Sequence, residues 1–140
     1  MLKKVLKNQQ GLTLIELLVV VVILGIIAAI AIPSIGGLID NAKKDAHIGN
    51  AQQMINSAKL LVASEGAPSG SEITLKNLED SGYIEPVENP DGGEYHETSS
   101  KVVVGKAGNN YTYTVTLVAG SKTIINGKQA RELKRDVVTN

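Results

Sequence analysis

The stretch "QQGLTLIELLVVVVILGIIAAIAIPS", residues 9–34, decides how this chain is read. From Leu12 to Ile32 it offers 21 almost uninterrupted apolar residues, with a carboxylate, Glu16, set among Leu, Ile and Val. A helix rising about 1.5 Å per residue over that length crosses a hydrocarbon core of about 30 Å. The run is also longer than the roughly 7–15 apolar residues of a signal-peptide core. Ahead of it, "MLKKVLKNQQG" carries Lys3, Lys4 and Lys7 and no acid, which places this end in the cytosol and turns the rest of the chain outward. A carboxylate inside a span is costly without a partner, so Glu16 predicts one. Two plainer readings compete. Ala29-Ile30-Ala31 has the A-x-A pattern of a signal-peptidase site, which would release a secreted domain starting at Ile32; Glu16 and Pro33 count against it. In the other, the run is a simple anchor and Glu16 reaches water at the membrane edge.

The rest of the 140 residues has room for one small domain. From Leu12 onward the chain holds 11 bases and 14 acids, so no global basic field argues for nucleic acid, and no specific nucleic-acid binding is expected. Without cysteine there is no disulfide framework and no thiolate metal site.

Beyond the apolar run, Pro33 removes an amide donor, and Gly25, Gly36 and Gly37 each weaken helix by up to about 1 kcal/mol. Gly25 to Gly37 is therefore the soft segment. Helical periodicity then returns: Ile48, Ala51, Ile55, Ala58 and Val62 recur every three or four residues, with Met54 and Leu61 beside them and Lys43, Lys44, Asp45, Asn50, Gln53 and Lys59 largely elsewhere. The spacing predicts one long helix from about Leu12 to about Ala63, bent or loosened near Pro33. "SEGAPSGS" at 64–71 reads as a loop. In "ITLKNLEDSGYIEP", Thr74 can cap a short helix whose Leu75 and Leu78 share a face, and Gly82 ends it before Tyr83 and Ile84 return to the core. An antiparallel meander comes next: Val102 to Val104, a turn over Gly105 to Asn110, Tyr111, Tyr113, Val115 and Leu117 alternating with threonines, and Lys122 to Ile125. Its apolar face can cover the amphipathic half of the helix. The tail "KQARELKRDVVTN" suits a last strand or a frayed helix.

Charge in this outer part is uneven. Glu72 to Glu97 holds eight acids and one base, and Lys101 to Asp136 holds seven bases and two acids, so an acidic patch could meet a basic one on a neighbouring copy. Glu88, Asp91 and Glu94 gather hard oxygen donors around a Gly-Gly turn, which suits Ca²⁺ chemically but lacks EF-hand spacing; no metal and no cofactor are expected. His47, on the predicted polar face of the helix, and His96, in the acidic loop, read as surface histidines. No nucleophile, phosphate loop or metal pair appears, so the chain is not expected to be an enzyme.

"KNQQGLTLIELLVVVVILGIIAAIAIP" resembles the N-terminus of type IV prepilins and of the pseudopilins of type II secretion and competence systems. The resemblance rests on a short basic leader ending in Gly11, apolar Leu12, Thr13, the Leu14-Ile15-Glu16 triplet, Gly25, and Pro33 twenty-one residues after Leu12, and it covers about the first 50 residues. It implies that a prepilin peptidase cuts between Gly11 and Leu12 and methylates the new amine, although Leu12 stands where the family most often has Phe. It also implies that Glu16, with Thr13, acts in assembly, that the helix becomes a filament core, and that an assembly ATPase and a membrane platform protein supply the machinery. The expected fold class is α+β: a long N-terminal helix packed on a small antiparallel sheet, pilin-like. The expected organisation is a leader over 1–11, a membrane and filament-core half over 12–32, an amphipathic half over 33–63 and a small globular domain over 64–140. The expected function is that of a structural subunit of a type IV pilus, a homopolymer anchored in the cytoplasmic membrane before assembly and extracellular afterwards. A pseudopilin of a competence or secretion filament is the alternative within the family, and a tethered or secreted binding module the alternative outside it.

Overall fold

The computed structural model describes residues 11–67 and 69–139. Lys3, Lys4 and Lys7, and with them the expected leader up to Gln10, lie outside the described residues. The chain divides into two compact units, Met1–Ile39 and Asp40–Asn140.

A single helix, α1, Leu14–Glu65, runs through Gly25 and Pro33. In the first unit every large apolar side chain of α1 is exposed, from Leu14 at 86% down to Val20 at 48%. No side of this stretch is polar enough to face water, and an 18-residue window within the helix reaches a mean hydropathy of 3.2. A helix apolar all round needs lipid or other helices around it.

The second unit has its own core. Along α1, the side chains of His47, Ala51, Met54, Ile55, Ser57, Ala58 and Val62 are buried in one stripe. Against them pack Ile73, Leu75, Leu78, Val102, Val104, Val115, Leu117, Ile124, Ile125 and Val138. The sheet has four antiparallel strands in sequential order: β1, Ser71–Thr74; β2, Lys101–Ala107; β3, Asn110–Ala119; and β4, Lys122–Lys128. Between β1 and β2 lies the short helix α2, Leu75–Asp80, capped by Thr74, whose side chain accepts the amide of Asn77. Leu75 and Leu78 are buried as the shared face requires, and Gly82, at φ +74, turns the chain so that Ile84 re-enters the core.

Several details differ from the sequence reading. Ser71 is not loop but the first residue of β1, an edge strand paired on β2 with Ile73 opposite Val102. The turn assigned to Gly105–Asn110 shrinks to Gly108 and Asn109, with Gly108 at φ +64. Gly105 instead lies within β2, opposite Thr112, where a Cβ would collide with Thr112 Oγ1. β4 runs past Ile125 to Lys128, and its register slips between Val115 and Val118 of β3. Past Lys128 the tail forms two 3-10 turns, Ala130–Glu132 and Arg135–Val137, which deliver Val138 into the core.

Candidate functional site

At the start of α1, Thr13 and Glu16 form a reciprocal pair. The Thr13 amide and hydroxyl each donate to Glu16 Oε2 at 2.7 Å, and the Glu16 amide donates to Thr13 Oγ at 3.3 Å. This is a capping box, which satisfies amides that the first helical turn leaves without partners. The sequence signal, Thr-x-x-Glu ahead of an apolar run, is present in "TLIE" and is the local reason the helix starts here. Both side-chain contacts fall on Oε2; among the described residues Oε1 has no donor, so the carboxylate keeps room for a cation. Gly11, Leu12 and Thr13 precede the helix, and Leu12 is 79% exposed. The backbone at the Gly11–Leu12 bond is thus outside helical hydrogen bonding, as a protease substrate must be.

The glycines of the soft segment lie open. A Cβ added at Gly25, Gly36 or Gly37 would meet nothing within 4 Å. Nothing in a single copy requires glycine for space, so their local effect is weaker helix propensity, next to a Pro33 that cannot donate to the carbonyl one turn back.

In the outer unit His47 is not a surface residue. It is fully buried, with Nδ1 2.6 Å from the Tyr95 hydroxyl and Nε2 2.9 Å from Asp91 Oδ2. Asn50 Nδ2 donates to the same hydroxyl at 3.0 Å and to the Glu88 carbonyl at 2.9 Å, and Lys43 Nζ lies 3.2 Å from Asp91 Oδ1. In the tautomer protonated at Nε2, each group finds a partner: Asn50 to Tyr95, Tyr95 to Nδ1, Nε2–H to Asp91. His47 stands four residues before Ala51, so it continues the buried stripe; its polar neighbours Lys43 and Lys44 hid this from the periodicity. Hydrogen bonds from His47 and Lys43 hold the Asp91 carboxyl below its usual range, and burial pushes Tyr95 up to about 12. A Tyr-His-Asp chain so arranged is no nucleophilic site, because its tyrosine is buried and held neutral. It ties the loop 88–95 to α1. The candidate calcium donors do not converge: Asp91 faces His47 and Lys43, and among the described residues no three His, Cys, Asp or Glu side chains gather as metal ligands do. His96 is exposed, its Nδ1 within reach of the Thr98 hydroxyl and the Ser99 amide.

Comparison with known proteins bears on the first of these sites. A family model, the prokaryotic N-terminal methylation motif, matches residues 6–32, which include Gly11, Leu12, Thr13, Glu16 and Gly25. The chain therefore carries the signature of type IV pilins and pseudopilins, and its fold, a long helix with a small antiparallel sheet, is pilin-like. Proteins with this signature are structural subunits, generally without enzymatic activity, and the motif implies processing by prepilin peptidase, membrane anchoring and filament assembly. Neither curated proteins nor solved structures gave a match to the chain.

Proposed function

We propose that this protein is the structural subunit of a type IV pilus. The observation that carries the reading is the methylation motif at the head of an apolar helix whose every side is exposed in a single copy. Prepilin peptidase cuts between Gly11 and Leu12 and methylates Leu12. The subunit waits in the cytoplasmic membrane as a single pass with its N-terminus in the cytosol. An assembly ATPase and platform protein then drive it into an extracellular homopolymer, and no activity as an enzyme is needed. Residues 12–32 form the filament core and 33–63 the amphipathic stem, with Gly25, Pro33, Gly36 and Gly37 giving the helix room to adjust. The globular part, 64–140, faces outward.

Glu16 sets assembly. Cleavage creates an ammonium at Leu12, just ahead of the helix and four residues before Glu16, and an identical ammonium arrives with each incoming subunit. Thr13 orients the carboxylate through Oε2, and the open Oε1 receives the amine of the neighbour. A desolvated carboxylate thereby gains its counter-charge only in the correct axial register. The reading is tested by shearing filaments from cells that make this protein. Long filaments composed mainly of this chain are expected; short periplasmic or wall-spanning ones would transfer it to a competence or secretion system.

A further inference from the structure

One groove of the outer unit sets tyrosines beside cations that have no carboxylate partner. It is lined by Ile55 and Lys59 of α1, Tyr111 to Tyr113 of β3 and the turn from Gln129 to Arg131. Lys59 Nζ lies 5.7 Å from the centre of the Tyr113 ring and Lys106 Nζ 5.8 Å from that of Tyr111, which is 45% exposed. No carboxylate among the described residues lies within 4.0 Å of Lys59, Lys106 or Arg131, whereas Lys101 is matched by Glu72 and Arg135 by Asp45. The Glu132 carboxylate, next to the groove, is spent on the Gln129 amide. An open tyrosine flanked by uncompensated cations is the composition of an interface anchor.

The complementary surface is on the same chain. The loop after α2 presents Glu85, Glu88 and Glu94, and beside it Glu79 is pushed up by burial and by Glu97. Within 4.0 Å of Glu79, Glu85, Glu88 or Glu94 there is no cation among the described residues; the bases nearby serve other acids, Lys76 pairing with Asp80 and Glu97 and Lys43 with Asp91. His47 fixes this loop at one level of α1, and Lys59 of the groove stands twelve residues further along the helix, about 18 Å at 1.5 Å per residue. A donor loop and an acceptor groove so displaced cannot satisfy each other within one copy.

We infer that the groove of Lys59, Tyr111 and Arg131, with Lys106 beside it, receives the acidic loop around Glu88 and Glu94 of a second copy. The contact joins two different surfaces, so it propagates from copy to copy rather than closing into a dimer. This rests on the filament reading above and adds to it a contact between outer units, displaced along the axis of α1. Charge fixes the register, and the tyrosines supply buried area.

The chain has no cysteine, which permits a clean test in the full-length protein. Tyr111→Cys and Glu94→Cys are introduced together, and filaments are oxidised. A ladder of cross-linked multimers is expected from the double variant and from neither single one. In parallel, Lys106→Glu with Arg131→Glu should lower sheared-filament yield at least tenfold at an unchanged membrane pool, as should Glu88→Lys with Glu94→Lys. Combining all four, which exchanges the charges, should recover at least half the yield. Normal filaments without a ladder, or reversals without effect, overturn this contact and leave the filament reading standing; complete absence of filaments from the unsubstituted chain overturns both. Normal yield combined with lost retention of single-stranded DNA by the Lys106→Glu filaments would hand the groove to a polyanion instead and overturn the inference.

Discussion

Glu16 and His47 are both polar groups placed where apolar ones belong, and each is explained by its partner. For Glu16 the structure supplies one partner, Thr13, and the assembly contact proposed above is the other. Glu16→Val should therefore leave membrane insertion and cleavage near normal and abolish incorporation into filaments, read as membrane-fraction level against sheared-filament yield. Glu16→Gln keeps the shape and loses the charge, and it should be impaired as well. For His47 the partners are all in place, and Tyr95→Phe, which strips buried Nδ1 and the Asn50 amide of a shared hydroxyl, should cost about 1–3 kcal/mol in urea unfolding. The direction of each shift gives the sign of the pH effect. Tyr95 ionises near 10 when unfolded and at about 12 when folded, so its contribution is complete below pH 10 and disappears as pH rises from 10 to 12. Asp91 is shifted the other way. Its contribution is complete above the ordinary aspartate range and fades as pH falls through it toward the lower folded value. Unfolding midpoints across pH would show both slopes, and Tyr95→Phe should reduce only the alkaline one, leaving the part due to Tyr113, which burial also raises.

At the scale of elements, sequence periodicity found what periodicity can find. α1 was legible from Leu12 to Ala63, within two residues of its observed ends at Leu14 and Glu65, because both an all-apolar run and a three-four stripe are strong patterns. Likewise Thr74, Leu75, Leu78 and Gly82 announced α2 through cap, face and stop. β1 was hidden because its four residues, Ser71 to Thr74, offer one buried apolar side chain, Ile73, and come after a Gly-Ser stretch. Its strand character comes from pairing with β2, a non-local cause. Gly105 was misread for a related reason: glycine usually marks a turn, yet here it clears space for Thr112 on the next strand. Gly105→Val should accordingly destabilise the outer unit by about 1–3 kcal/mol, measured by urea unfolding, with the hairpin retained. The tail could not be decided from sequence, since its turns are held by one anchor, Val138, and by the Thr139 amide bonding to the Ile124 carbonyl.

At the scale of the molecule, the two units ask for different surroundings. The core that includes Met54, Leu78, Val102, Leu117 and Ile125 lies wholly within Asp40–Asn140, and the exposed apolar stretch lies wholly before it. A fragment beginning at Asp40 should thus be soluble, folded and monomeric at micromolar concentration by sedimentation, since the groove contact alone lacks the area of a stable interface. The candidate processing site was legible as a pattern, Gly11 to Glu16, whereas the clamp around His47 was not, because it unites residues more than forty positions apart. The central claim is that the chain is cut at Gly11, methylated at Leu12 and polymerised through its apolar helix. Mass spectrometry of the N-terminal peptide recovered from membranes and from sheared filaments tests it most directly. The account predicts one dominant terminus, N-methylated Leu12, in both fractions; a terminus at Ile32, or a chain still carrying Met1 through Gly11 in assembled material, would contradict it.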